Sequence, residues 1–70
     1  MILTDWFPGA VKPVRNGVYE REYIYGKATI TSYCHWDGKY WFMGKGTVEG
    51  AEKNFNVAPN QSLRWRGVLK

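Results

Sequence analysis

Over residues 18–25, Tyr19, Arg21, Tyr23 and Tyr25 alternate with Val18, Glu20, Glu22 and Ile24, the two-residue period of a half-buried strand. Gly26-Lys27 suits a two-residue type II′ turn, which wants glycine at its first central position, and residues 28–36 read as the return strand. Asp37-Gly38, between Trp36 and Lys39, is a type I′ signal and predicts a second tight hairpin with a third strand over residues 39–43. No long stretch keeps apolar residues at helical spacing. Thr47 to Phe55 predicts one short helix capped by Thr47, weakened by Gly50. Leu63, Trp65 and Leu69 alternate with Arg64 and Arg66 as a last strand over 63–68, with Trp65 inward and the arginines outward. The expected fold is mainly β: a small single domain over 1–70, an antiparallel three-stranded meander plus a C-terminal strand and one short helix.

Two-residue turns fix the register, and directly paired residues share a face. Tyr25 pairs with Ala28, Tyr23 with Ile30 and Tyr19 with Cys34; the second turn pairs Trp36 with Lys39, Cys34 with Trp41 and Ser32 with Met43. One face then holds Tyr19, Tyr23, Tyr25, Ala28, Ile30, Cys34, Trp36, Trp41 and Met43. The other holds Val18, Glu20, Glu22, Ile24, Thr29, Thr31, Tyr33, His35, Tyr40 and Phe42. An unpaired carboxylate costs several kcal/mol in a core and almost nothing in water, so the glutamates and threonines make the second face the wet one. That leaves Tyr33, His35, Tyr40 and Phe42 clustered near the Asp37-Gly38 turn, either covered by the rest of the chain or forming a binding patch.

Composition explains how so short a chain can hold together. A domain of 70 residues buries only about 60% of its unfolded surface, so large side chains must supply the margin; four Trp, five Tyr and three Phe do so. The lead-in over residues 5–17 carries two prolines and two glycines and reads as extended or turning chain from which Trp6 and Phe7 anchor onto the core. Cys34 is the single cysteine, which excludes an intramolecular disulfide and a Cys-based zinc site and fits a reducing compartment. The longest apolar run is Tyr40-Trp41-Phe42-Met43, far short of a membrane span, and Met1-Ile2-Leu3 is followed by Thr4-Asp5 rather than a signal-peptide core. A cytoplasmic location with no membrane partner is the expectation.

The chemistry inventory points away from catalysis. Cys34 and His35 are neighbours in a strand and face opposite ways, so they cannot form a nucleophile pair. Glu20 and Glu22 lie two apart on one face, as solvated strand faces also do. Gly44-Lys45-Gly46 lacks the continuation of a phosphate-binding loop. No catalytic, metal or cofactor site is expected. Ten basic residues against six acidic ones give a charge of +4, enough to favour acidic partners but too scattered for a polyphosphate track. Aromatic rings beside Lys and Arg on a wet sheet could stack single-stranded nucleic acid. The same residue types also make protein hot spots, and flat rings can stack sugars. The candidate binding residues are Tyr33, His35, Tyr40, Phe42, Arg64 and Arg66, whereas Trp36, Trp41 and Trp65 belong to the core.

Trp6 with Lys12-Pro13, Gly17-Val18-Tyr19-Glu20, Trp36-Asp37-Gly38-Lys39-Tyr40-Trp41 and Trp65-Arg66-Gly67-Val68 form a pattern that resembles a group of short proteins encoded in phages and prophages of proteobacteria. The resemblance runs from Trp6 to Val68. It implies a phage-type accessory protein and supplies no catalytic or binding residues; Gly50 and the polar stretch from Asn54 to Gln61 depart from the alanine-rich segment of that group. Such a protein is expected to act without catalysis by docking on a host or phage protein. A single-stranded nucleic-acid-binding module is the alternative.

Overall fold

In the computed structural model, which describes residues 4–67 apart from the side chain of Tyr25, the alternating segments form a hairpin of β1 (Gly17–Tyr25) and β2 (Ala28–Trp36). Its register is the expected one, with Tyr25 opposite Ala28, Tyr23 opposite Ile30 and Tyr19 opposite Cys34. Gly26 takes φ +60°, the left-handed value that a type II′ turn demands of its first central residue. A short third strand, β3 (Trp65–Gly67), pairs antiparallel with the other edge of β1, giving the order β2-β1-β3. The helix is α1 (Val48–Glu52), capped by Thr47, whose Oγ1 accepts the Gly50 N–H at 3.0 Å. Val68, the end of the predicted last strand, and Leu69 beyond it lie outside the described residues.

The expected third strand of the meander is not a strand of this sheet. A type I′ turn would force φ > 0 on Asp37 as well as Gly38, and only Gly38 adopts it, at +94°. Instead the Asp37 carboxylate accepts the N–H groups of Lys39 and Tyr40 at 2.8 and 2.6 Å, an Asx-type turn that spares a side-chain-bearing residue the left-handed region. The loop widens to four residues and Trp36 faces Trp41 rather than Lys39. The slide is two residues, an even number, so Trp36 and Trp41 keep the face the alternation assigned to them. Beyond this point the segment is shared. Phe42 N–H donates to His35 O at 2.9 Å, while Met43 N–H donates to Asn56 O at 2.7 Å and Trp41 O accepts from Ala58 N at 2.9 Å. Lys45 then returns to β2 and exchanges two bonds with Tyr33, at 2.9 and 2.8 Å. The expected pairs Cys34–Trp41 and Ser32–Met43 do not form.

The core gathers Cys34, Trp36 and Trp41 from the first face with Ala58 and Trp65. Tyr19 stands edge-on to Trp41 and Trp65 at 5.9 and 5.1 Å, and Phe7 stacks on Trp65 at 4.6 Å. Phe7 thus anchors onto the core as expected, whereas Trp6 does not and lies instead over Arg64 and Arg66 on the opposite face. Phe7 and Trp65 exchange backbone bonds of 2.7 and 3.1 Å, and the Trp65 indole N–H reaches Val11 O at 2.6 Å. This covering stops half-way along the hairpin. Ala28, Ile30 and Met43, expected in the core, are exposed, because the segment over residues 57–63 crosses the first face nearer the Trp36 end. The second face is not uniformly wet either: Phe55, which follows α1, closes over His35 and Phe42.

Candidate functional site

Three surfaces could do chemistry or bind. The first is the aromatic cluster of the second face. His35, Phe42 and Phe55 form a triangle of rings, with centroids 5.3 Å apart for His35–Phe42, 5.6 Å for His35–Phe55 and 5.8 Å for Phe42–Phe55. Phe42, expected to face water, is buried: a phenyl ring left in solvent beside another phenyl gains by closing on it. Tyr33 and His35 are half-buried, while Tyr40 stays exposed with the Lys39 ammonium 5.2 Å from its ring centroid. Phe55, 68% exposed, forms the outer wall. Its sequence neighbours are polar, and nothing in the local pattern marked it as part of this cluster.

The second surface carries the arginines. Arg64 grips Glu22 with Nε and Nη2, and Arg66 holds Glu20 Oε1 with Nε at 3.0 Å and Nη2 at 2.6 Å. Both pairs cross from β1 to β3 or the residue just before it, side by side. The Trp6 indole covers them, with the guanidinium carbons of Arg64 and Arg66 4.9 and 4.5 Å from its ring. The bond to Arg64 holds the Glu22 carboxyl below its ordinary range and raises Arg64. Outward pointing was legible from alternation. That each arginine meets a glutamate and that Trp6 lies over both depends on which strand pairs with β1, which local pattern does not reveal.

The third surface is an open trough on the uncovered half of the first face. Tyr23 and Ile30 form one wall, Met43 and Leu63 line it, and Ala58 and Pro59 close the end, enclosing about 440 Å³. Ile30 and Met43 are 50% and 48% exposed. Behind it Arg21 is fully buried, with Cζ 4.8 Å from the Trp41 ring centroid and 5.7 Å from that of Tyr23, and Nη2 donates to Asn60 O. Tyr23 Oη lies 3.4 Å from Cys34 Sγ. Burial pushes the Cys34 thiol up, with the Tyr23 hydroxyl and the Arg21 charge pulling the other way. The sulfur is thus an enclosed thiol rather than an exposed nucleophile.

Two side-chain amides tie together the segments beside the trough. Gln61 Oε1 accepts the Trp41 N–H at 2.7 Å while its Nε2 donates to Trp41 O at 2.9 Å and Ala58 O at 2.7 Å. Asn54 Nδ2 donates to Met43 O at 2.6 Å. Gln61 therefore pairs with Trp41 as a strand residue would, using its side chain in place of backbone. No family model, curated protein or solved structure matches the chain. Among the described residues, no helix is long and apolar enough to cross a membrane.

Proposed function

We propose that the chain is a small non-enzymatic docking protein of the phage accessory type, and that a host or phage protein seats in the trough beside Ile30, Met43 and Leu63. The carrying observation is that the turn-proximal part of the sheet's apolar face is left open, with Ile30 and Met43 half exposed on the wall of the trough. Exposed apolar surface of this kind is what protein partners cover. The enclosed Cys34 and the ring-packed His35 lie on opposite faces, which favours binding over chemistry. The nucleic-acid alternative draws on Lys39, Arg64 and Arg66 with the Tyr33, Tyr40 and Phe42 rings. Its two arginines are already matched by glutamates and covered by Trp6 and Phe42 is buried, which leaves Lys39 as the cation beside the exposed Tyr40 ring and favours the protein reading.

The experiment is affinity capture from host lysate with the intact chain, Met43→Glu and Tyr40→Ala, each with and without nuclease. One stoichiometric protein, retained by Tyr40→Ala and lost by Met43→Glu, is the expected result. An eluate emptied by nuclease, or full retention by Met43→Glu, would overturn it. A labelled single-stranded oligonucleotide should show no binding at low salt, where charge attraction is strongest; binding that weakens in Arg64→Ala and Arg66→Ala would put the nucleic-acid module in its place.

A further inference from the structure

We infer that the free edge of β2 is a self-recognition strip, and that two copies of this chain pair through it antiparallel about Ile30, joining their sheets into one. The edge is open by construction. Tyr25 and Ala28 face each other across the two-residue turn, so Ala28, Ile30 and Ser32 turn their backbone groups toward β1, and Thr29, Thr31 and Tyr33 turn theirs outward. Tyr33 spends its outward groups on Lys45. Those of Thr29 and Thr31 have no backbone partner among the described residues. Natural sheets guard such an edge with charge, proline or a bulge. Residues 28–36 contain no Lys, Arg, Asp, Glu or Pro, and β2 runs against β1 without a bulge.

The occupant follows from the order of the residues. Ala28-Thr29-Ile30-Thr31-Ser32 reads small, Thr, Ile, Thr, small in either direction. Laid antiparallel on a second copy with Ile30 opposite Ile30, Thr29 meets Thr31 and Ala28 meets Ser32 at every position of the strip. The outward N–H and C=O groups of Thr29 and Thr31 then form two closely spaced pairs. The Ile30 pair occupies the site between them, where side chains come closest, and cross-strand Thr–Thr and β-branched pairs are favourable ones. The strip itself is uncharged, but at each end the partner's Lys27 comes level with Tyr33 and its neighbour Lys45, so charge repulsion weakens the pairing and salt should strengthen it. Ile30 also lines the trough, so pairing would set two troughs side by side as one longer apolar channel. Five residues of edge pairing make a small interface, of the weak and concentration-dependent kind.

The test is sedimentation equilibrium of the purified full chain between about 10 μM and 1 mM, the range in which a weak dimer forms. The expected mass rises with concentration toward twice the 8.1 kDa of one chain. Thr31→Pro removes an outward N–H without touching the β1 ladder, and Ile30→Lys places two ammonium groups opposite each other. Each should weaken pairing at least about tenfold, while Tyr40→Ala should leave it unchanged. Amide exchange covers the case in which Thr31→Pro fails to fold: in the unaltered chain the Thr29 and Thr31 amides should slow as concentration rises. A chain still monomeric at the highest concentration, a dimer that survives Thr31→Pro, or threonine amides indifferent to concentration would each overturn the inference. No partner protein is present in these measurements, so their failure would leave the docking reading standing.

Discussion

Replacing Arg21 tests how this core tolerates a cation. Its guanidinium is fully buried, neither ion pair involves it, and Nε and Nη1 have no hydrogen-bond partner. Each buried, unpaired donor costs about 1–3 kcal/mol. Against this stand one charge-assisted bond to Asn60 O, worth about 1.5–3 kcal/mol, and the stacking on Trp41, about 2 kcal/mol where water is excluded. The terms nearly cancel, which leaves the aliphatic stem as the part that stabilises. Arg21→Met keeps the stem and sheds the charge, while the Asn60 carbonyl, on an exposed residue, can take water. Its stability should equal the parent's or exceed it by about 1 kcal/mol, as buried charges replaced by apolar groups of similar volume often do. Arg21→Ala removes the stem as well and should cost about 2–4 kcal/mol through the cavity beside Trp41. Urea unfolding followed by tryptophan fluorescence measures both, with the slope checked for constancy. A loss above about 2 kcal/mol in Arg21→Met would refute the reasoning and show that the charge organises the core.

Trp41→Ala should cost about 3–5 kcal/mol, enough to unfold a domain this small, while exposed Tyr40→Ala stays within about 1 kcal/mol; equal losses in thermal melts would mean that the two neighbours are equally enclosed. At Gly9 an added Cβ would fall 1.8 Å from the Ser62 carbonyl oxygen, whereas at Gly46 it meets nothing within 4 Å. Gly9→Ala should therefore lose about 1–3 kcal/mol and Gly46→Ala less than about 1 kcal/mol, read by denaturant midpoint. Asp37, through its bonds from the Tyr40 and Lys39 N–H groups, and Glu22, through Arg64, are both held below their ordinary values. A carboxyl with a depressed folded pKa adds stability that is fully present above its unfolded pKa and is lost as pH falls through the folded one. Stability should thus be flat above about pH 5 and decline below about pH 4, and Asp37→Asn with Glu22→Gln should flatten that decline in an acid titration of the melting temperature.

The first hairpin was legible to the residue because alternation and a glycine-led turn agree on one register. The second was legible in its faces but not its pairing. Asp37-Gly38 satisfies the I′ pattern, yet an Asp side chain can also bond its own turn, and a sequence does not reveal which outcome wins. Arg21 alternates with Tyr19 and Tyr23, so its side of the strand was readable, whereas the burial of a cation there depends on Trp41 and Asn60 arriving from elsewhere. The candidate site was legible in composition and less so in arrangement. Tyr40 is exposed as expected, but Phe42 disappears under Phe55 and the two arginines are matched by Glu20 and Glu22. Those outcomes rest on contacts between residues far apart in the chain, beyond the reach of a local pattern.

The backbone bonds of the first hairpin close over a two-residue turn, but the bonds that seal the core do not. Trp65 reaches back 54 residues to Val11, and Gly67 reaches 63 residues to Thr4. Closing loops of that length costs entropy before any contact repays it. The β1–β2 hairpin is thus the local part of this fold, and β3 with the lead-in closes over it as a long-range clasp. Under strain or proteolysis the clasp would release first, exposing Trp65 and Tyr19 while the hairpin still held its register.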